Sequence, residues 1–199
     1  QLAVQYGASA LGLVGHMPSG PGLISDDVIA EIARFSPPAI GTFLLSSETN
    51  ATAIIAHHRK VLTNTIQLVD ALESGTYTEI RTALGPVKIV QVIHVNGDRS
   101  VDEALEIASE VDAILLDSGN PALAVKVLGG TGRVHNWTIS RRIVESVSVP
   151  VFLAGGLHAG NVREAIETVQ PFGLDLCSGV RTNGKLDPFK LEQFFKAAL

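Results

Sequence analysis

The chain has 199 residues and a formal net charge of -5, with 46% hydrophobic, 18% charged and only 5% aromatic side chains. That length can bury one sizeable core, here aliphatic, and the acidic balance without a lysine or arginine cluster excludes non-specific binding to nucleic acid. A single cysteine, Cys177, excludes an intramolecular disulfide and a cysteine-built metal site; no apolar run approaches the roughly 18 residues of a membrane span and no signal-peptide pattern opens the chain, so a cytoplasmic protein without nucleic-acid or membrane partners is expected.

The chain opens on "QLAVQYGASA", which reads as the end of a helix (Leu2, Ala3, Tyr6) closed by Gly7. Strand-like runs then begin at Ala10 ("ALGLVG"), Ala39 ("AIGTFLLS"), Thr65 ("TIQLV"), Val87 ("VKIVQVIHV"), Asp112 ("DAILLD"), Val149 ("VPVFLAGG") and Phe172 ("FGLDLCSG"). Helical spacing lies between them. "DDVIAEIARF" sets Val28, Ile29, Ile32 and Phe35 on one face, and "VDEALEIASEV" does the same with Ala104, Leu105, Ile107, Ala108 and Val111. "SRRIVESV", "NVREAIETV" and the closing "PFKLEQFFKAAL" repeat the pattern. Strands alternating with helices imply a parallel sheet with right-handed crossovers. No linker interrupts it, so residues 1–199 are expected to form one domain. A helix ahead of the first visible strand fits a (β/α)8 TIM barrel with strand one missing from the chain, an N-terminally incomplete single domain.

In such a barrel the loops after the strands build the active site. The run Ala113 to Leu116 ends abruptly in Asp117, which places an acid at the mouth; read alone, the same residue could be a helix N-cap or an Asx turn. Gly155 and Gly156 follow the strand at Val149 and precede a helix, where backbone N–H groups can approach an anion. Ser178 and Gly179 follow the next strand, with "RTNGKLDP" read as a loop before the last helix, and together the two loops suit a phosphate cradle. Each glycine pair by itself is also compatible with a tight βα turn. The long connection after Asp117 carries "LGGTGRVHNW", where Gly129, Gly130 and Gly132 could fold over a ligand as a lid, or form a merely flexible loop.

Taken together, "LLDSG", "GGTGRVHNW", "VPVFLAGGLHAGNVREAI" and "PFGLDLCSGV" resemble the phosphoribosylanthranilate isomerase family of tryptophan biosynthesis, in detail over the second half of the chain and more loosely from "GASALGLV" onward. The resemblance implies an Amadori rearrangement of N-(5-phosphoribosyl)anthranilate to 1-(2-carboxyphenylamino)-1-deoxyribulose 5-phosphate, without metal or organic cofactor. It implies Asp117 as the general acid, Gly155, Gly156, Ser178 and Gly179 as phosphate-binding residues, and Gly130 and Asp175 as substrate-binding residues. An acid at this step has to hold its proton near neutral pH, which calls for a partly desolvated carboxyl.

Three positions depart from the family pattern. The family's base, a cysteine ending strand one, is expected upstream of Gln1; Cys177 lies in the last strand run and reads as a small buried residue. Gly22 stands where the family carries an arginine for the anthranilate carboxylate, and Arg133 is the cation considered as a substitute. Val69, followed by Asp70, replaces a histidine. These changes leave open two alternatives, a relative that isomerises another aminated phosphosugar and a phosphosugar-binding module without catalysis. His57 and His58 read as solvated, and His94, which ends a strand, could line the mouth but reads first as a core or loop residue. No histidine shows metal-ligand spacing, so no metal is expected. A monomer and a homodimer both remain open.

Overall fold

The computed structural model describes residues 1–17, 22–118 and 135–199. Parallel strands β1 (Ala10–Val14), β2 (Gly41–Ser46), β3 (Thr65–Leu68), β4 (Lys88–His94), β5 (Ala113–Asp117), β6 (Val151–Leu153) and β7 (Gly173–Leu174) pair in chain order, so β1 and β7 are the two edges of a seven-stranded sheet. Helices α1 (Leu2–Gln5), α2 (Asp26–Phe35), α3 (Ala51–Val61), α4 (Tyr77–Leu84), α5 (Arg99–Ile107), α6 (Trp137–Ser146), α7 (Val162–Val169) and α8 (Pro188–Ala198) alternate with them. The alternation and strand order are those of a TIM-barrel wall.

Local chemistry starts the helices where the sequence supplies caps. Ser25 and Asn50 accept from the backbone N–H groups of Val28 and Ala53 at the starts of α2 and α3. Thr76 and Glu79 form a reciprocal capping box on α4. Asp187 caps α8 with Pro188 in its first turn. The short helix ends as expected, with Gly7 at φ +107° after α1.

Strand alternation sorts the apolar side chains into two layers. Val90 and Val92 of β4, Ala113 and Leu115 of β5, and Ala154 just past β6 pack together inside the curl of the sheet, with Phe43, Leu45 and Phe152 against them. Ile89, Ile93, Ile114, Leu116 and Leu153 face the other way, into the layer under the helices. Ile93, Ile114 and Leu116 have no exposed surface. Burial of each such side chain stabilises the fold by about 1.5–3 kcal/mol. Because the inward set on β4 is 90 and 92, and on β5 is 113 and 115, the next inward positions are His94 and Asp117. The packing register thus aims both at the C-terminal mouth.

Several expectations need correction. Val28, Phe35 and Leu105 are exposed, at 40%, 71% and 49%, so each lies off the edge of its helix's buried stripe; the Arg34 guanidinium covers the Phe35 ring at 5.4 Å. His58 is not solvated. It is buried on the stripe of α3 with Ala51, Ile54 and Val61, and its Nε2–H donates to the Thr63 carbonyl at 2.7 Å. His57 pairs with Asp26 at 3.0 Å. Finally, the "RTNGKL" segment is a small antiparallel hairpin, β8 (Arg181–Thr182) and β9 (Lys185–Leu186), turning through Asn183 and Gly184 at positive φ.

Candidate active site

The mouth is organised around the end of β5. His94 and Asp117 are partners in the β4–β5 register, and the Val95 N–H continues that ladder by donating to the Asp117 carbonyl at 3.0 Å. Asp117 is 8% exposed. Burial raises its carboxyl above the ordinary aspartate value, opposed by the hydrogen bond from the Ser118 N–H at 2.7 Å and by the electrostatic pull of His94. The apolar run 113–116 therefore does two things: it buries the strand, and it holds the acid at its end in a desolvated position.

One pocket gathers Asp117, Gly155, Gly156, Asp175, Ser178 and Gly179, with Ala154, Leu157 and Cys177 completing its wall. Two close approaches explain why glycine is needed here. A Cβ on Gly155, itself at φ +83°, would lie 2.9 Å from the Ser118 Oγ, so the turn after β6 packs directly on the residue following the acid. A Cβ on Gly179 would lie 1.9 Å from the Leu157 carbonyl oxygen, so the turn Ser178–Val180 is pressed against the first loop. Asn161 ties that first loop together, its side chain bonding Gly156 O and His158 N at the start of α7. No described backbone carbonyl accepts from the Gly155 or Gly156 N–H. These donors, set before a helix N-terminus, can take an anion.

Asp175 continues past β7, its N–H donating to the Leu153 carbonyl at 2.9 Å. Burial, then the neighbouring Asp117, push its carboxyl up to about 6. Residues 173, 175 and 177 keep the strand's alternation, with Leu174 and Leu176 packed on the opposite side. That parity turns Cys177 into the pocket, which corrects its reading as a core residue. The signal was present in the two-residue spacing from Asp175. Burial raises its thiol, with Arg181 pulling it down and the two aspartates adding to the rise. His94 also belongs to the mouth rather than to a plain core. Its Nε2–H donates to the carbonyl of Val69, the position where the family resemblance leads one to expect a histidine. Gly129, Gly130, Gly132 and Arg133 lie outside the described residues. Among the described residues, no group of three or more histidine, cysteine, aspartate or glutamate side chains is placed to hold a metal ion, and no helix is long and apolar enough to cross a membrane.

Comparison with known proteins bears on the family and the fold. The family model for N-(5'-phosphoribosyl)anthranilate isomerase matches residues 25–197. A Methanosarcina mazei protein named N-(5'-phosphoribosyl)anthranilate isomerase 2 is 35% identical, over 99% of this chain and 87% of its own length. Among solved structures, phosphoribosylanthranilate isomerase from Thermotoga maritima superposes with a TM-score of 0.79 at 27% identity, covering 99% of this chain and 91% of that one. A phosphoribosylanthranilate isomerase in complex with reduced 1-(o-carboxyphenylamino)-1-deoxyribulose 5-phosphate does so with a TM-score of 0.76 at 25% identity, covering 99% and 90%. A family match running from α2 to the end of α8, and a barrel wall shared with the solved members, lead to one conclusion: the chain belongs to the N-(5'-phosphoribosyl)anthranilate isomerase family.

Proposed function

We propose that the protein catalyses the Amadori rearrangement of N-(5'-phosphoribosyl)anthranilate to 1-(2-carboxyphenylamino)-1-deoxyribulose 5-phosphate, a step of tryptophan biosynthesis, acting as one domain over residues 1–199, in the cytoplasm, as a monomer or homodimer and without a nucleic-acid partner. The observation that carries this reading is the single pocket in which a buried carboxyl, Asp117, faces two glycine turns.

The substrate's phosphate sits on the backbone of Gly155, Gly156, Ser178 and Gly179, which leaves the ribose over Asp117. Asp117 enters the reaction protonated, because burial favours its neutral form. It gives its proton to the ribose ring oxygen as the C1'–O bond breaks, and the anilino nitrogen lone pair forms the imine. The C2' proton then passes to a base, the role that the family resemblance gives to a cysteine, and the resulting enolamine takes a proton at C1' as its enol O–H proton is lost, which leaves the ketone. Carbon 2' is oxidised by the same amount as carbon 1' is reduced, so the rearrangement needs no external oxidant. Cys177 is ill suited to removing the C2' proton, since its raised pKa keeps the thiol protonated. The cysteine that the family resemblance gives as base is not in the 199 residues, whose one cysteine is Cys177. Asp175 lines the same pocket, and the family resemblance sets it beside the substrate's aromatic ring.

Complementation of a tryptophan auxotroph lacking this isomerase tests the reading. The wild-type protein restores growth and Asp117→Asn does not. Rescue by both removes Asp117 from its role, and rescue by neither removes the activity.

A further inference from the structure

A substrate of the class just proposed carries an anion at each end, a phosphate and an aryl carboxylate. The glycine turns provide for the phosphate. For the carboxylate, the pocket's described wall holds two aspartates and neither lysine nor arginine. A cation stands just beyond Cys177 and interacts with its thiol. Arg181 follows the turn Ser178–Val180 and opens the β8–β9 hairpin. Its Nη1 donates to the Gly184 carbonyl at 2.8 Å, which fixes the guanidinium against the hairpin turn. Its Nη2 lies 4.0 Å from the place a Cβ on Gly22 would occupy. Its Nε is buried without a hydrogen-bond partner among the described residues, and the guanidinium makes no ion pair with a described carboxylate, its other pocket-side interaction being with the Cys177 thiol.

The guanidinium thus spans from the pocket wall at Cys177 to the loop after β1. Gly22 has φ +90°, a conformation that side-chain-bearing residues rarely adopt, and as a glycine it places no side chain of its own in that space. A buried N–H without an acceptor is unfavourable, and a carboxylate supplies paired acceptors in the geometry of the guanidinium fork. We propose that Arg181 binds the aryl carboxylate of the substrate and sets the specificity for a carboxylated amine, its guanidinium reaching from the last βα loop to the place left open at Gly22. The inference rests on the isomerase reading.

The test uses the reduced product analogue bearing the o-carboxyphenylamino group and its counterpart with a plain phenylamino group, titrated calorimetrically into wild type, Arg181→Met and Arg181→Lys, alongside wild-type turnover. Wild type is expected to favour the carboxylated ligand by about tenfold to a hundredfold, the range for loss of a charge-assisted hydrogen-bonded contact. Arg181→Met should bind both ligands as wild type binds the phenylamino one, which also reports an intact phosphate cradle. Arg181→Lys, which keeps the charge and loses the fork, should retain only part of the preference. If Arg181→Met does not fold, Arg181→Lys decides. An undiminished preference in the variants, or an equal loss for both ligands, overturns the assignment while wild-type turnover leaves the isomerase reading standing. A wild type that neither turns over substrate nor binds either ligand removes both.

Discussion

His94 and Asp117 are register partners, the last residues of β4 and β5, and both carry their side chains into the mouth of the barrel. The pull of His94 favours the Asp117 carboxylate, against the burial that favours the neutral acid. A general acid is useful only while protonated, so kcat/KM falls as pH rises through its pKa. Removing the pull in His94→Gln leaves Asp117 protonated to higher pH, and the alkaline limb of the kcat/KM profile should move upward. An unmoved limb, or one displaced downward, would show that the two side chains are not coupled.

Asp175 gives the opposite sign. Its charge disfavours a second charge on Asp117, so Asp175→Asn should move the same limb to lower pH. It also affects stability. The folded-state carboxyl is raised from 3.8 to about 6, so folding carries no penalty below the lower value and the whole penalty above the upper one. Asp175→Asn should therefore stabilise the protein at about pH 8, on the order of 1–3 kcal/mol, and progressively less as the pH falls toward about 4. Denaturant midpoints at the two pH values measure this; a gain that is the same at both contradicts the raised carboxyl.

Gly179→Ala probes the contact between the two glycine turns. The added Cβ meets the Leu157 carbonyl, which is backbone and cannot swing aside. The turns must separate, at a cost of about 1–3 kcal/mol in stability. The affinity for ribose 5-phosphate should fall with it. Unchanged phosphate affinity in a folded Gly179→Ala protein would place the anion elsewhere.

Cys177→Ser separates pocket wall from base. With a thiol that burial keeps protonated, the cysteine contributes shape, and the substitution should leave kcat within about threefold of wild type. A loss on the order of a hundredfold, the scale of a lost general base, would reassign the C2' proton to this residue.

Much of the mouth could be read from residue order. Strands buried on both faces appear as unbroken apolar runs, so the acid closing 113–116 stood out, and Gly155-Gly156 after β6 and Ser178-Gly179 after β7 mark where backbone has to come close. What escaped depended on parity and partners. Past Leu174 the described chain leaves strand pairing but keeps alternating, which is why Cys177 turns inward although "LDLCSG" reads as a core strand. His58 completes a helical stripe with Ile54 and Val61, a pattern obscured by the polar residues around it. Asn183-Gly184 carried the hairpin signal, yet the strands it joins are only two residues each, too short for alternation to be seen. The position of Arg181 beside Gly22 joins the two ends of the chain, and no local pattern announces such a contact.

The most direct measurement is the turnover of N-(5'-phosphoribosyl)anthranilate by purified wild type and Asp117→Asn, with binding of the reduced product analogue followed in parallel. The expected result is turnover by wild type, a fall of about a hundredfold to ten-thousandfold in kcat for the variant, and analogue affinity changed little, because the amide keeps the shape of the carboxyl and loses only its transferable proton. Turnover by Asp117→Asn at the wild-type rate would contradict it.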